Sequence, residues 1–151
     1  MRVLVLSDSH GDVYKLRRAI DSQPTAKLIV FLGDGEYDID SVECRVPVIK
    51  VRGNCDFGSS LPLNFTDEVC GKKIYCTHGF RENVKYTTEN LISAAKSHGA
   101  HIALYGHTHV PVTSYDGGLY LVNPGSVREG SFAVIDITDS GIMPIIMKIK
   151  Y

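Results

Sequence analysis

Five short polar clusters in this 151-residue chain gather seven side chains of metal-ligand type. They are Asp8-Ser9-His10-Gly11, Gly33-Asp34-Gly35, Gly53-Asn54-Cys55-Asp56, Thr77-His78-Gly79 and Gly106-His107-Thr108-His109. The candidate donors are Asp8, His10, Asp34, Asn54, His78, His107 and His109: two carboxylates, four imidazoles and an amide oxygen. Taken singly, each cluster reads as local structure, since Gly, Asn and Asp make ordinary turns. Two histidines at i and i+2 beside a glycine, as in His107-Thr108-His109, carry more weight. The joint pattern carries the argument: four of the six histidines lie in these clusters, and all five clusters end apolar runs.

Seven donors are too many for one tetrahedral zinc and too few for two complete octahedra. They suit two ions that share one carboxylate and keep positions open for water and substrate. Two divalent cations bring about +4, the two aspartates return about −2, and a bound hydroxide leaves about +1, which favours an anionic phosphoryl group. Such a pair, roughly 3.5–4 Å apart, would polarise a phosphate ester and acidify a bridging water, whose hydroxide attacks phosphorus. The mixed nitrogen and oxygen set favours manganese, iron, nickel, cobalt or zinc over magnesium or calcium.

These residues need elements that bring them together. Arg2–Ser7 and Lys27–Leu32 are apolar runs of the kind found in strands covered on both faces, and Pro47–Arg52 reads as a third strand. Val13, Leu16, Ala19 and Ile20 recur at helical spacing behind a candidate N-cap, Asp12, which makes a βαβ unit with parallel pairing. Leu63–Cys70 and Lys73–Thr77 form an expected hairpin, with Gly71-Lys72 as its turn. A helix is expected over Thr88–His98, capped by Thr87 or Thr88 and stopped by Gly99, followed by a strand at Ile102–Tyr105. Two further hairpins are expected, Pro111–Tyr115 with Leu119–Asn123 and Ser131–Thr138 with Ile142–Lys150. Strands outnumber helices and the pairing is mixed, which favours two packed sheets with helices outside. Loops at the carboxyl ends of parallel strands open onto one crevice, so the five clusters should meet there. His98 and His101 are left as helix-end and loop residues.

Composition narrows the class. A chain of this length, 44% hydrophobic and 22% charged, reads as one domain over residues 1–151 that folds without disulfides. Formal net charge is −1, with 16 basic against 17 acidic residues, so nucleic-acid binding and a polybasic membrane patch are not expected. No apolar run approaches the roughly 20 residues of a membrane helix, and the short apolar start is no signal peptide. The expected location is the cytoplasm, with Cys44, Cys55, Cys70 and Cys76 reduced. The expected register sets Cys70 opposite Lys73 and Cys76 opposite Asp67, which precludes a bridge.

The clusters, in this order, resemble the calcineurin-like metallophosphoesterase superfamily, whose pattern is D-x-H, G-D-x, G-N-H-E or a variant, a histidine, and G-H-x-H. The likeness spans residues 8 to 109, and Asn123-Pro124-Gly125-Ser126 extends it toward the small phosphodiesterases of the YfcE type. It implies a four-layer α/β (α+β) fold, two mixed sheets face to face with helices on each outer side. Carried across, it assigns Asp8, His10 and His109 to a first metal and Asn54, His78 and His107 to a second, with Asp34 bridging. Asp34, Asn54 and His107 then serve catalysis, and manganese is the favoured metal. Many relatives carry a histidine after the asparagine as proton donor. Here Cys55 stands there; a thiol of pKa about 8.5 suits the role less well than imidazole. Cys55 is therefore open between a proton donor and a packed side chain, and Asp56 is a candidate for orienting a metal-bound histidine. Arg128 is read as a solvated side chain within possible reach of a phosphate.

The implied activity is hydrolysis of a small phosphodiester. The alternative is a protein-binding scaffold of the same fold, weak or inactive in catalysis, like a retromer subunit of eukaryotes. A nuclease is a third reading, weakened by the lack of a basic face. The C-terminal strand around Ile142–Met147 finishes a sheet in the favoured reading, with homo-oligomer pairing the alternative.

Overall fold

The computed structural model describes residues 1–150; Tyr151, the last residue of the expected domain, lies outside the described residues. The first strand, β1 (Arg2–Leu6), leads through α1 (Val13–Asp21) to β2 (Ala26–Phe31), and β1 and β2 pair in parallel. Asp12 caps α1 as expected, its carboxylate accepting the Lys15 N–H at 3.0 Å. A short helix, α2 (Glu36–Asp40), precedes β3 (Val48–Lys50), which pairs in parallel with β2. The sequence reading has no counterpart for α2. Five residues, three of them acidic, offer no apolar periodicity, and the N-cap is Gly35, which has no side chain to announce it.

The second half contains β4 (Asn64–Val69), β5 (Lys72–Thr77), α3 (Glu89–Ser97), β6 (Ile102–Leu104), β7 (Val112–Asp116) and β8 (Leu119–Asn123), and the chain returns through β9 (Ser131–Thr138) and β10 (Gly141–Lys148). One sheet has the order β10-β9-β1-β2-β3 and the other β4-β5-β6-β8-β7. Both are mixed. β9 runs antiparallel to β1, while β5, β6 and β8 are mutually parallel between antiparallel edge strands.

Three apolar clusters define four layers. Val3, Val5, Val30 and Ile135 from the first sheet meet Ile74, Ile102, Leu104 and Val122 from the second, so the sheets pack face to face. The alternate residues Leu4, Leu6 and Phe31 point outward and pack on Leu16 and Ala19 of α1 and Ile39 of α2. Behind the second sheet, Tyr75, Ala103 and Leu121 receive Leu91 and Ala95 of α3. Period-two alternation within each strand thus feeds two different interfaces. A fully buried aliphatic side chain here contributes about 1.5–3 kcal/mol relative to leaving it exposed.

The β4–β5 hairpin corrects the expected register. Its turn is Cys70-Gly71, not Gly71-Lys72, because Cys70 (φ 51°) and Gly71 (φ 76°) both take the left-handed conformation that a two-residue turn of this hand requires. Val69 therefore faces Lys72, and Cys76 lies opposite Phe65 rather than Asp67. All four cysteines are free. Thr88 is the N-cap of α3 but makes no side-chain cap bond.

At the edge of the first sheet, β10 finishes the structure against β9, with Pro144 opposite Ile135. The Ile137 N–H is donated across β1 to the Met1 carbonyl at 2.9 Å. Since facing residues alternate between bonded and non-bonded pairs, the odd positions of β9 turn their backbone groups toward β1, and Pro144 turns its nitrogen outward.

Candidate metal centre

The five clusters do meet, at the ends of strands from both sheets. β1, β2 and β3 deliver Asp8, His10, Asp34 and Asn54, while β5 and β6 deliver His78, His107 and His109. His107 N–H bridges the two sets by donating to Asp8 Oδ2 at 3.1 Å, and backbone bonds tie the loops within each set. Asp8 N–H donates to Gly33 O at 2.9 Å, His10 N–H to Asp34 O at 3.1 Å, and Gly106 N–H to His78 O at 2.9 Å.

Three groups of donors result among the described residues, one of them His10, Asp34 and Cys55, whose thiol lies outside the expected seven donors. Asp8, His10 and His109 present ligand atoms within 4.8 Å of one another, and so do Asp34, His78 and His107. Asp8 Oδ1 is 3.1 Å from His109 Nε2 and 3.4 Å from His10 Nε2. Asp34 Oδ2 lies 3.2 Å from His78 Nε2 and 3.6 Å from His10 Nε2, which puts it between the groups. The ring pairs His10–His109 and His78–His107 have centroids 5.1 and 5.0 Å apart.

His78 supplies the test of whether these residues fit a metal. Its Nδ1 lies 2.6 Å from Leu32 O and donates to it, which leaves Nε2 as the bare lone pair. That Nε2 is buried and has no hydrogen-bond partner; Asp34 is close but at a geometry that makes no bond. A buried polar atom without a partner is costly, and a nitrogen aimed among carboxylates is what a cation requires. The donor set fits divalent metal ions.

Charge around the site agrees. Burial opposes ionisation of Asp34, but the nearby imidazole of His78 and the N–H of Cys55 outweigh it and hold its pKa down at about 2. Burial likewise acts to lower the pKa of His78, yet the nearby carboxylates of Asp34 and Asp8 raise it. For His107, burial and then the positive charges of His78 and Lys85 lower the pKa.

Asn54 is exposed on its loop, its Nδ2 3.5 Å from Cys55 Sγ. Cys55 is exposed too, so it is not a packed side chain. Partial burial, followed by the charges of Asp34, Asp56 and Asp8, raises its pKa, which makes the thiol a poor proton donor at neutral pH. Arg128 is exposed, as expected.

Asp56 differs from its expected part. Instead of orienting a histidine, its buried carboxylate accepts four backbone N–H groups: Gly53 (2.8 Å), Asp34 (2.9 Å), Gly35 (3.0 Å) and Glu36 (3.1 Å). It thereby clamps the Asp34 loop to the Asn54 loop. Other braces lie outside the sequence reading. Ser7 Oγ donates to Asp8 Oδ2 at 2.5 Å. Asp38 Oδ2 accepts from Ser9 Oγ at 2.6 Å and from Gly11 N–H at 2.8 Å. Asn123 Nδ2 donates to Gly106 O and Thr108 Oγ1, and Ser126 Oγ to Asp8 O, so the Asn-Pro-Gly-Ser segment ties the first and last ligand loops.

The backbone is held in unusual conformations for this purpose. Asp8, His10, Asp34, His107 and His109 all have positive φ, between 44° and 71°. Non-glycine residues adopt this region infrequently, Asn, Asp and His most readily, and it concentrates at functional sites. Gly33 (φ 102°) allows a close approach of two loops, since a Cβ there would lie 2.5 Å from the Gly53 nitrogen.

The model of the calcineurin-like phosphoesterase superfamily domain matches residues 1–140. The chain belongs to this superfamily. Among its relatives is the probable metallophosphoesterase YsnB of Bacillus subtilis, 34% identical over 137 residues, covering 85% of this chain and 76% of that protein. Phosphodiesterase YfcE of Escherichia coli is 29% identical over 175 residues, covering 97% of this chain and 91% of that protein. Among solved structures, wild-type Vps29 of Entamoeba histolytica in complex with zinc shares the fold at a TM-score of 0.76 and 22% identity, covering 99% of this chain and all of that one (100%). The sequence-derived resemblance and the four-layer superfamily fold are thereby established. As a calcineurin-like phosphoesterase, the chain carries possible metal-holding clusters where its family implies divalent metal ions. Among the described residues, no helix is long and apolar enough to cross a membrane.

Proposed function

We propose that this chain is a metal-dependent phosphodiesterase that hydrolyses a small phosphodiester at a two-metal centre. The observation that carries the reading is the convergence of two carboxylates and four imidazoles around the unpartnered Nε2 of His78. In this reading Asp8, His10 and His109 hold one divalent ion and Asn54, His78 and His107 the other, with Asp34 shared. When bound, the ions supply Lewis-acid charge for a phosphoryl oxygen and acidify water. The chain's own residues do the rest. Leu32 O fixes the tautomer of His78, Asp56 holds the Asp34 and Asn54 loops in register, and the Asn54 NH₂, which gives one N–H to Cys55 Sγ, has its other N–H to offer a phosphate oxygen. Cys55, with its raised pKa, does not protonate the leaving group, so diesters of acidic alcohols are favoured. Manganese is the expected metal, with nickel, iron, cobalt and zinc as alternatives. A single domain over residues 1–151 and a cytoplasmic location belong to the same reading, and the kinship with phosphodiesterase YfcE supports it.

The test is nitrophenol release from bis-p-nitrophenyl phosphate with added manganese, beside Asn54→Ala and His107→Ala. Each variant is expected to lose about 100-fold or more in kcat. No release by the wild-type chain with any of these metals would overturn the reading. It would favour the second one, a protein-binding scaffold of the same fold, for which the likeness to Vps29 speaks.

A further inference from the structure

The loop between β5 and α3 carries an aromatic ring that the core does not use. Phe80 is half-buried and joins none of the three apolar clusters among the described residues. Its ring packs instead against two candidate metal ligands, 6.0 Å from His78 and 6.4 Å from His107, centroid to centroid. The loop is a built one. Val84 is buried and donates its N–H to Gly79 O at 3.3 Å, Glu82 N–H donates to the same carbonyl at 3.2 Å, and buried Glu82 accepts from Thr77 Oγ1 at 3.2 Å. The backbone that carries Phe80 is thereby braced beside the imidazoles, and the residue is only half-buried. Lys85, exposed on the same loop, is near enough for its charge to act on His107.

Two other segments just after candidate ligands carry exposed rings: Tyr37 in α2, three residues after Asp34 and 84% exposed, and Phe57, three residues after Asn54 and 82% exposed. Aromatic faces next to an anion-attracting centre suit a ligand with a flat ring joined to a phosphate.

We propose that Phe80 determines specificity at this centre by receiving a planar aromatic substituent of the phosphodiester, so that aryl or nucleobase diesters are preferred to alkyl ones. This rests on the reading of the site as one that holds a phosphodiester. The test uses three diesters with the same p-nitrophenolate leaving group, whose second substituent is methyl, phenyl or 5′-thymidyl. Binding is read separately, by calorimetry of the manganese-loaded protein with diphenyl and dimethyl phosphate. The wild-type chain is expected to prefer the phenyl or the thymidyl ester over the methyl ester by about tenfold in kcat/KM, and diphenyl over dimethyl phosphate by a similar ratio in affinity. The larger of the two ester ratios tells aryl from nucleobase. Phe80→Leu is expected to bring both ratios to within about twofold, and Phe80→Tyr to retain them. Ratios unchanged by Phe80→Leu, or equal losses for all esters, overturn the proposal, since a ring that merely props the imidazoles would affect every substrate alike. Absence of hydrolysis with the calorimetric preference intact overturns the hydrolytic reading and upholds the recognition role; absence of both overturns both.

Discussion

At the scale of single residues, the centre is a set of donors whose protonation is already sorted. Asp34 stays ionised down to about pH 2. The lowered pKa of His107 keeps its imidazole neutral through the neutral range. His78 is the exception, because in the metal-free chain the two aspartates favour its proton. Its folded pKa is raised above the unfolded value of about 6.5, so its contribution to metal-free stability is full below that value and is lost as pH rises through the folded pKa. Metal binding has the opposite sense, since the ligand nitrogen must be bare. Calorimetric titration with manganese in buffers of different ionisation enthalpy is expected to show proton release near neutral pH, with affinity falling as the solution is acidified through the His78 pKa. His78→Asn is expected to remove most of that release. The candidate donors were legible in the sequence because Asp, His and Asn beside glycines have few other collective uses. The duty of Asp38 was not, since its partners Ser9 and Gly11 are brought to it only by folding.

Element by element, what stands out is how loops from separate strands are tied. Asp56 is 7% exposed and takes up four N–H groups from two loops. In Asp56→Ala those donors lose their acceptor, at an expected cost of about 2–4 kcal/mol in urea denaturation. Metal affinity is expected to fall about 10–100-fold, as when a group supporting a ligand is removed. Strands β1, β2, β5 and β9 were legible because their apolar runs are bounded by turn residues. The register of the β4–β5 hairpin was not, because Cys70 enters the left-handed region where sequence rules favour glycine or asparagine. Helix α2 escaped for a related reason: it is held by its neighbours, through the Asp56 bonds to Gly35 and Glu36 and the burial of Ile39, rather than by its own pattern.

For the whole molecule, the two-sheet architecture and the centre are separable. The layer between the sheets is apolar and independent of any ion, and the ligand loops are braced by backbone bonds to one another. Chelation is therefore expected to leave the far-UV circular dichroism native. An ion present at 100 times its dissociation constant adds about 2.7 kcal/mol, so removing it should lower Tm by about 5–10 °C for a chain of this size. Loss of secondary structure on chelation would contradict this separation. Four layers were legible from the count and mixture of strands, whereas the order in which β9 and β10 return beside β1 is a long-range outcome that no local pattern announces.

That return leaves β10 as an open rail, and Pro144 removes one rung from it. A second copy approaching to extend the sheet would find its run of available donors split in two, with Lys148 at the far end adding a charge. The long C-terminal strand is thus poorly suited to endless stacking of one molecule on the next. If copies of this chain do associate, they are better served by another face.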